Sequence, residues 1–332
     1  MMSAIRNFIL TFIMSLLIFG LMAYGLVKFS MSAIQIGGTT DDPVETKEET
    51  RGADNTEGEI HEDLSSLKGN TFSAIIVGTD YQPSVFNDYS SKGESESGFP
   101  IEARTIETDA IIFVHFNKET GDMVFSSIPA ETRISIGGLS TTLQNLYREK
   151  GAGALADKVM ALTGLPVDYY VIISAEKFKS LIDDLGGITY YVATDMKYKN
   201  EEKGLDVNLK KGSQKLNGQK ALDMLRYAEY SDGRSSRRKC GVAFAKAMAK
   251  LYLTQANQES AAMLYSKYAG YFETNFTLDA LSENVDLVFA YGRMNVVEYT
   301  YPGRSTGSGD SEIFNADISK ATEYFSKYKY RG

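Results

Sequence analysis

The chain is poor in the side chains from which the commonest metal and redox sites are built, with one cysteine, Cys240, and two histidines, His61 and His115. A single thiol excludes an intramolecular disulfide and any CxxC motif, and two imidazoles do not make a zinc centre unaided. No D-x-D-x-D-G run accompanies its carboxylates, which argues against a calcium loop of that type. The segment "GRSTGSG" from Gly303 lacks the lysine of a phosphate-binding P-loop and has no helical pattern behind it, so it reads as a flexible loop. An excess of positive charge is missing too. The formal charge is -8, and residues 41–63 alone hold ten carboxylates against Lys47 and Arg51, which leaves the remainder near neutral. No global basic field recommends nucleic acid as a partner. Internal repeats are also absent.

What is present falls into three parts. From Asn7 to Val27 the chain runs 21 residues without a charge, bracketed by Arg6 and Lys28. A helix of that length, rising about 1.5 Å per residue, spans roughly 30 Å of hydrocarbon. The run exceeds the roughly 7–15 apolar residues of a cleavable signal and no A-x-A site follows it. Residues 1–29 are therefore read as a cytoplasmic N-terminus with one transmembrane helix. The acidic stretch beyond Lys28 tolerates export, which places the rest of the chain outside the cell membrane. Residues 30–70, rich in Gly, Thr, Ser, Asp and Glu, cannot bury enough apolar surface to offset chain entropy and read as an acidic, flexible linker. Residues 71–332 remain as a folded domain, in a chain with 43% hydrophobic and 11% aromatic residues.

Within that domain, helical and strand patterns alternate. "TFSAIIVG" from Thr71, residues 110–116 and residues 123–128 are buried strands, with "NKETGD" a turn between the last two. A helix is expected at about 140–164, a strand over 167–174, and a helix from Ala175 ending at a glycine cap. Another strand begins at Ile188 and a helix begins near Asn217. The next helix, 237–253, sets Cys240, Phe244, Met248 and Leu251 on one face. A last strand near 296–303 and a closing helix near 316–328 complete an α/β domain layered around one mixed sheet.

Connection lengths locate a site. A short turn makes 110–116 and 123–128 antiparallel neighbours, so Asp109 and the "PAETR" segment, 129–133, face each other at one sheet edge. If strand 72–77 also pairs antiparallel to 110–116, Asp80 arrives at the same edge. Taken singly, Asp80 reads as a turn residue and Asp109 as a strand cap. The cations gather further along, where Arg226 follows the apolar "ALDML" and Arg234, Arg237, Arg238 and Lys239 crowd the start of a helix. The macrodipole already makes that end positive, so an anion is called for. Backbone N–H groups and guanidinium forks together suit phosphate, while a solvated basic face paired with Glu229 and Asp232 is the plainer alternative.

Four blocks carry a resemblance to a known family: "ARTIETDAIIFVHFNKETGDMVFSSIPAETR", "GLPVDYYVIISAEKFKSLIDDLGGI", "LKKGSQKLNGQKALDMLRY" and "GRSSRR". In order and spacing they are similar to the signatures of LytR-CpsA-Psr proteins, over about 71–328. The resemblance implies a single α-β-α domain behind one N-terminal anchor. It also implies transfer of a glycopolymer, as a phosphodiester, from a polyprenyl-pyrophosphate carrier to peptidoglycan. Carried over residue by residue, Arg104, Arg226, Arg234 and Arg237 are the catalytic arginines, and Asp80 and Asp109 hold Mg²⁺ or another divalent cation such as Mn²⁺. Arg133 and Arg238 are read as further substrate-binding residues. One departure stands out. Where the family usually reads "IPRDT" this chain has "IPAET", so Ala130 replaces an arginine and Glu131 an aspartate, and Arg133 is the expected substitute. The departure keeps a second class open, a non-catalytic relative that binds lipid-linked glycan or wall as a scaffold.

Overall fold

Strand β1 (Thr71–Tyr81) runs between two neighbours, antiparallel to β2 (Ile106–Asn117) and parallel to β6 (Tyr169–Ser174). The molecule is a computed structural model that describes residues 71–81, 106–200, 205–227, 229–253, 258–288, 290–307 and 311–329. These all belong to one compact unit, Ile60–Gly332. The expected transmembrane helix, the acidic linker and Arg104 lie outside the described residues. Among the described residues no helix is long and apolar enough to cross a membrane.

Following β2 in the chain come β3 (Asp122–Ile128) and the short hairpin of β4 (Arg133–Ile136) and β5 (Leu139–Thr142). Helix α1 (Leu143–Thr163) is next, then β6, α2 (Ala175–Asp184) and β7 (Ile188–Val192). Strands β8 (Met196–Asn200), β9 (Leu205–Leu209) and β10 (Gly212–Leu216) precede helices α3 (Gly218–Arg226), α4 (Arg234–Leu253) and α5 (Gln258–Tyr268). The two-residue β11 (Glu273–Thr274), α6 (Leu278–Val288), β12 (Asn295–Glu298), β13 (Gly303–Thr306), β14 (Ile313–Ala316) and α7 (Ile318–Phe325) follow.

The central sheet has six strands in the order β11-β6-β1-β2-β3-β12 and mixes parallel with antiparallel pairs. Both of its faces are covered, which is why "AIIV" and "AIIFVHF" are continuous apolar runs rather than alternations. Ile75, Val77, Ile111, Phe113 and Val124 pack with Leu146, Leu155 and Phe325 of α1 and α7. Phe72, Ile112, Val114 and Phe125 face the other way, toward Val242 and Ala245 of α4. The three layers confirm the expected α/β architecture. Phe113 is wholly buried and meets Phe325 edge-on at 5.5 Å. Truncating such a side chain to alanine costs about 3–5 kcal/mol.

Helix ends follow local chemistry. Ser174 accepts from the Lys177 N–H and Asn217 from the Lys220 N–H, capping α2 and α3. Gly186, at φ 79°, lets the chain leave α2 in the left-handed conformation expected of the glycine there. Three expectations are corrected. Residues 139–142 pair as β5, so α1 starts at Leu143, and its helical path breaks at Gly151, φ 80°. Leu251 of α4 is exposed, whereas Cys240, Phe244 and Met248 pack together around Leu216 and Met224. The "GRSTGSG" loop is in part strand β13, held by β14, and a side chain at Gly303 would collide with the Phe314 ring.

Candidate functional site: an apolar cavity with an arginine-lined mouth

The cavity-facing side of the sheet and helix α4 do not close on each other completely. Between them lies a cavity of about 540 Å³. Alternate side chains of the strands form its floor, including Ala74 and Ile76 of β1, Ile112 and Val114 of β2, and Val171 and Ile173 of β6. Phe244, Met248 and Ala249 of α4 and Leu222 and Leu225 of α3 form the opposite wall. Small residues on the floor at 74, 78 and 110 keep the space open.

The polar residues at the mouth come from the sheet edge where β1 ends, β2 begins and β3 ends, or from the helices beside it. The pairing of β1 with β2 slips there: Gly78 faces Ala110, yet Thr79 faces Thr108, which leaves Asp109 as an extra residue. A bulge of this kind turns two consecutive side chains toward one face. Asp109 and Ala110 accordingly both line the cavity. Without the slip, alternation would aim Asp109 into the α1 layer.

Helix α4 begins at Arg234, so Arg234, Arg237 and Arg238 occupy its first two turns. All three line the mouth, joined by Arg226 from the last turn of α3. The guanidinium of Arg234 is ion-paired with Glu131, and its Nε lies 3.4 Å from Glu312. Arg237 is ion-paired with Asp109 and donates from Nε to the Leu225 carbonyl at 3.1 Å. Arg238 lies 4.0 Å from Glu131 and 5.9 Å from the Phe314 ring centroid, with its Nη1 buried and without a hydrogen-bond partner. Burial holds the Arg238 pKa below its ordinary value, with Glu131 acting against the shift. Each of the three is about a quarter exposed or less, so this is not a solvated face. Asp232 accepts from the Ser236 N–H and serves the helix start instead. One turn before Arg226, Asp223 is buried; desolvation raises its pKa, opposed by a 2.7 Å hydrogen bond from Gln219 and by Arg226.

Not every expected residue joins this group. The backbone of Asp80 pairs with Glu107, on the same edge as Asp109. Arg133 opens β4, pairs with Thr142 and is exposed, and it does not line the cavity. Ala130 does, buried, with its carbonyl accepting from the Gln144 N–H. Sequence reasoning missed the C-terminal hairpin. Phe314 donates its N–H to the Glu131 carbonyl at 3.0 Å, and Glu312 reaches Arg234, so β13 and β14 brace the arginines from outside. These contacts join residues 183 and 78 positions apart and leave no local signal. His115 lies on the other side of the sheet, beneath Tyr328, and has no part in the cavity.

The sequence and the fold have counterparts among known proteins. The teichoic acid transferase TagV of Bacillus subtilis, named for transfer from polyisoprenyl-teichoic acid to peptidoglycan, is 25% identical over 189 residues, 54% of this chain and 44% of that protein. TagU of Bacillus subtilis, named for the same transfer, is 28% identical over 162 residues, 48% of this chain and 45% of its own length. The chain thus matches less than half the length of these relatives. In three dimensions the crystal structure of Bacillus subtilis TagV superposes with a TM-score of 0.60 at 20% identity, covering 79% of this chain and 98% of that one. The structure of TagT bound to LIIa-WTA gives 0.58 at 19% identity, covering 82% and 93%. The sequence profile of the LytR_cpsA_psr family matches residues 33–329, which takes in every described strand and helix that builds the cavity and its mouth, and the chain belongs to that family.

Proposed function

We propose that this chain is a membrane-anchored transferase that moves a glycopolymer from a polyprenyl-pyrophosphate carrier onto peptidoglycan. One observation carries the reading: guanidinium groups converge on the mouth of a chamber lined almost wholly by hydrocarbon. That combination suits a ligand with an apolar tail and an anionic head. The tail lies against the sheet floor, and the pyrophosphate meets Arg226, Arg234, Arg237 and Arg238 at the mouth. Arg104 belongs to the same proposed set by resemblance. A sugar hydroxyl of the acceptor attacks the phosphorus that bears the glycan. One P–O bond forms as the bond to polyprenyl phosphate breaks, and the hydroxyl proton is lost. Arginines fixed by surrounding carboxylates stabilise the charge that builds on the transferred phosphoryl and the leaving phosphate.

Asp109 and Asp80 are the proposed ligands of Mg²⁺ or Mn²⁺. Carboxylate oxygens suit a hard divalent ion, and Asp109 lies at the mouth, where substrate phosphates would complete the shell. Such an ion neutralises phosphate charge when bound. The anchor is the 7–27 segment, with the N-terminus cytoplasmic and the folded domain outside a bacterial membrane.

A second reading, binding without transfer, is favoured by Ala130, which offers only a methyl group at the rim. Full-length protein in proteoliposomes, supplied with radiolabelled lipid-linked glycan and peptidoglycan, separates the two. Label appearing in the wall polymer supports the transferase; retention of all label on lipid that co-purifies with the protein supports the binding protein.

A further inference from the structure

Glu131 and Glu312 approach Arg234 at different nitrogens. Glu131 pairs with Nη1 and lines the cavity, whereas Glu312 stands 3.4 Å from Nε and does not line it. An anion that enters from the cavity therefore meets the Glu131 side of the guanidinium first. A planar fork held at both nitrogens has its orientation fixed. Held at Nη1 alone, it is free to swing once a phosphate takes the place of Glu131.

Glu312 is itself held. Its other oxygen, Oε1, accepts from the Ser305 hydroxyl at 2.7 Å, and its side chain is 14% exposed. Ser305 pairs with Phe314 across the β13–β14 hairpin, so the two side chains share one face, which the hydrogen bond extends to Glu312. Phe314 anchors that face. It is buried, its ring lies edge-on to Tyr301 at 6.4 Å, and its backbone bridges to Thr132, next to Glu131. A carboxylate just ahead of such an anchor, with a hydroxyl on one oxygen and a guanidinium near the other, has little freedom left.

We infer that Glu312 is a positioning residue: it aligns the Nε side of Arg234 while the Nη1 side exchanges Glu131 for a phosphate oxygen. The inference rests on the anion site proposed above. It divides the two carboxylates by role, with Glu131 competing against the ligand and Glu312 orienting the donor. Orientation needs an acceptor in the right place more than it needs a charge. Glutamine at 312 meets that need, since its carbonyl can accept from Nε while its amide donates to the Ser305 hydroxyl oxygen. Methionine, of similar volume, offers neither.

That contrast is the test. Calorimetry of the full chain in detergent, without divalent cations, measures inorganic pyrophosphate binding to Glu312→Gln and Glu312→Met, each with and without Arg234→Ala. Glu312→Met should weaken binding about five- to tenfold, the scale of ordering one rotamer-rich side chain on binding. Glu312→Gln should bind at least as tightly as the wild type, because it keeps the acceptor and removes a negative charge. In the Arg234→Ala background Glu312→Met should add no further loss, because the residue acts through Arg234. A loss that persists there is general structural damage and overturns the inference. Equal losses in the Gln and Met variants also overturn it, since Glu312 would then contribute charge alone. Should circular dichroism show Glu312→Met unfolded, Ser305→Ala at an exposed position replaces it. It should cost about two- to threefold, the low end for one hydrogen bond, and only while Arg234 is present; no loss overturns the inference. Wild-type protein that binds no pyrophosphate overturns the anion site itself, a result distinct from all of these.

Discussion

Arg234 and Glu131, 103 residues apart in sequence, form an ion pair at the cavity mouth, and Glu312 approaches the same guanidinium from the C-terminal hairpin. Two carboxylates therefore hold Arg234 in place before any ligand arrives, at the end of a helix dipole that favours anions. A phosphate that replaces them inherits a preorganised donor. Arg234→Ala should weaken binding of a polyprenyl pyrophosphate by about 1.5–3 kcal/mol, the scale of a lost charge-assisted hydrogen bond. Titration calorimetry in detergent measures it, and unchanged affinity would remove Arg234 from the anion site.

Glu131 acts on stability instead. Its carboxylate is 13% exposed and serves Arg234 with Arg238 close by, so Glu131→Gln leaves two cations under-compensated. Unfolding should become easier by about 1–3 kcal/mol. Inorganic pyrophosphate, binding the freed cations of the folded state alone, should restore more stability to the variant than to the wild type. Thermal melts with and without pyrophosphate show whether it does.

His115 sets an acid limit that has nothing to do with the cavity. It is buried, its Nδ1 lies 2.8 Å from the Ser73 hydroxyl, and desolvation lowers its pKa to about 4. Folding therefore favours the neutral ring. That contribution is complete above the unfolded value of about 6.5 and is lost as pH falls toward 4, by about 3 kcal/mol in all. Denaturant midpoints of the wild type should fall across this window, and those of His115→Gln should fall less. Parallel curves for the two proteins would place the acid sensitivity elsewhere.

These residues also show what the sequence discloses and what it hides. Strands β1, β2 and β3 are legible because a sheet covered on both faces demands unbroken apolar runs, and the pairing of β2 with β3 follows from one short turn, whereas that of β1 with β2 does not. The arginines are legible because cations at a helix start conflict with a local dipole. Their partners are not. Asp109, Glu131 and Glu312 reach them across 128, 103 and 78 residues, and no pattern along the chain encodes such a meeting. The bulge that turns Asp109 toward the cavity is equally silent, since "TDA" contains no glycine or proline to mark it. Strands β4, β5, β13 and β14 are four residues each, too short to show an alternation, so β5 reads as the start of a helix and β13 as part of a loop.

Asp109 is shared between two roles. Arg237 is ion-paired with it, and the proposed metal would need the same carboxylate. Asp109→Asn should cut Mn²⁺ affinity by at least about tenfold, since a charged hydrogen-bonding or coordinating partner contributes on the order of 1.5–3 kcal/mol. Manganese electron paramagnetic resonance with added polyprenyl pyrophosphate reads this directly. Equal binding in the variant would place the ion elsewhere.

The departure at position 130 now has a structural answer to test. Arg133 was the sequence's candidate to replace the missing cation, but a strand that pairs it with Thr142 and buries Ile134 beneath leaves Arg133 on the outside. Arg238 stands at the mouth instead, within 4.0 Å of Glu131, with a buried nitrogen that has no hydrogen-bond partner. A donor desolvated in this way gains most from an anion that completes its hydrogen bonds. Arg133→Ala should therefore leave glycan transfer within about threefold of the wild type, whereas Arg238→Ala should reduce it by roughly 10²- to 10³-fold, the loss seen when one preorganised donor is removed. Circular dichroism must show both variants folded. The decisive comparison is the double variant Ala130→Arg with Arg238→Ala. If Arg238 does the work of the absent arginine, the cation restored at 130 should recover most of the lost transfer. A double variant as slow as Arg238→Ala alone would mean that the two positions address different parts of the substrate.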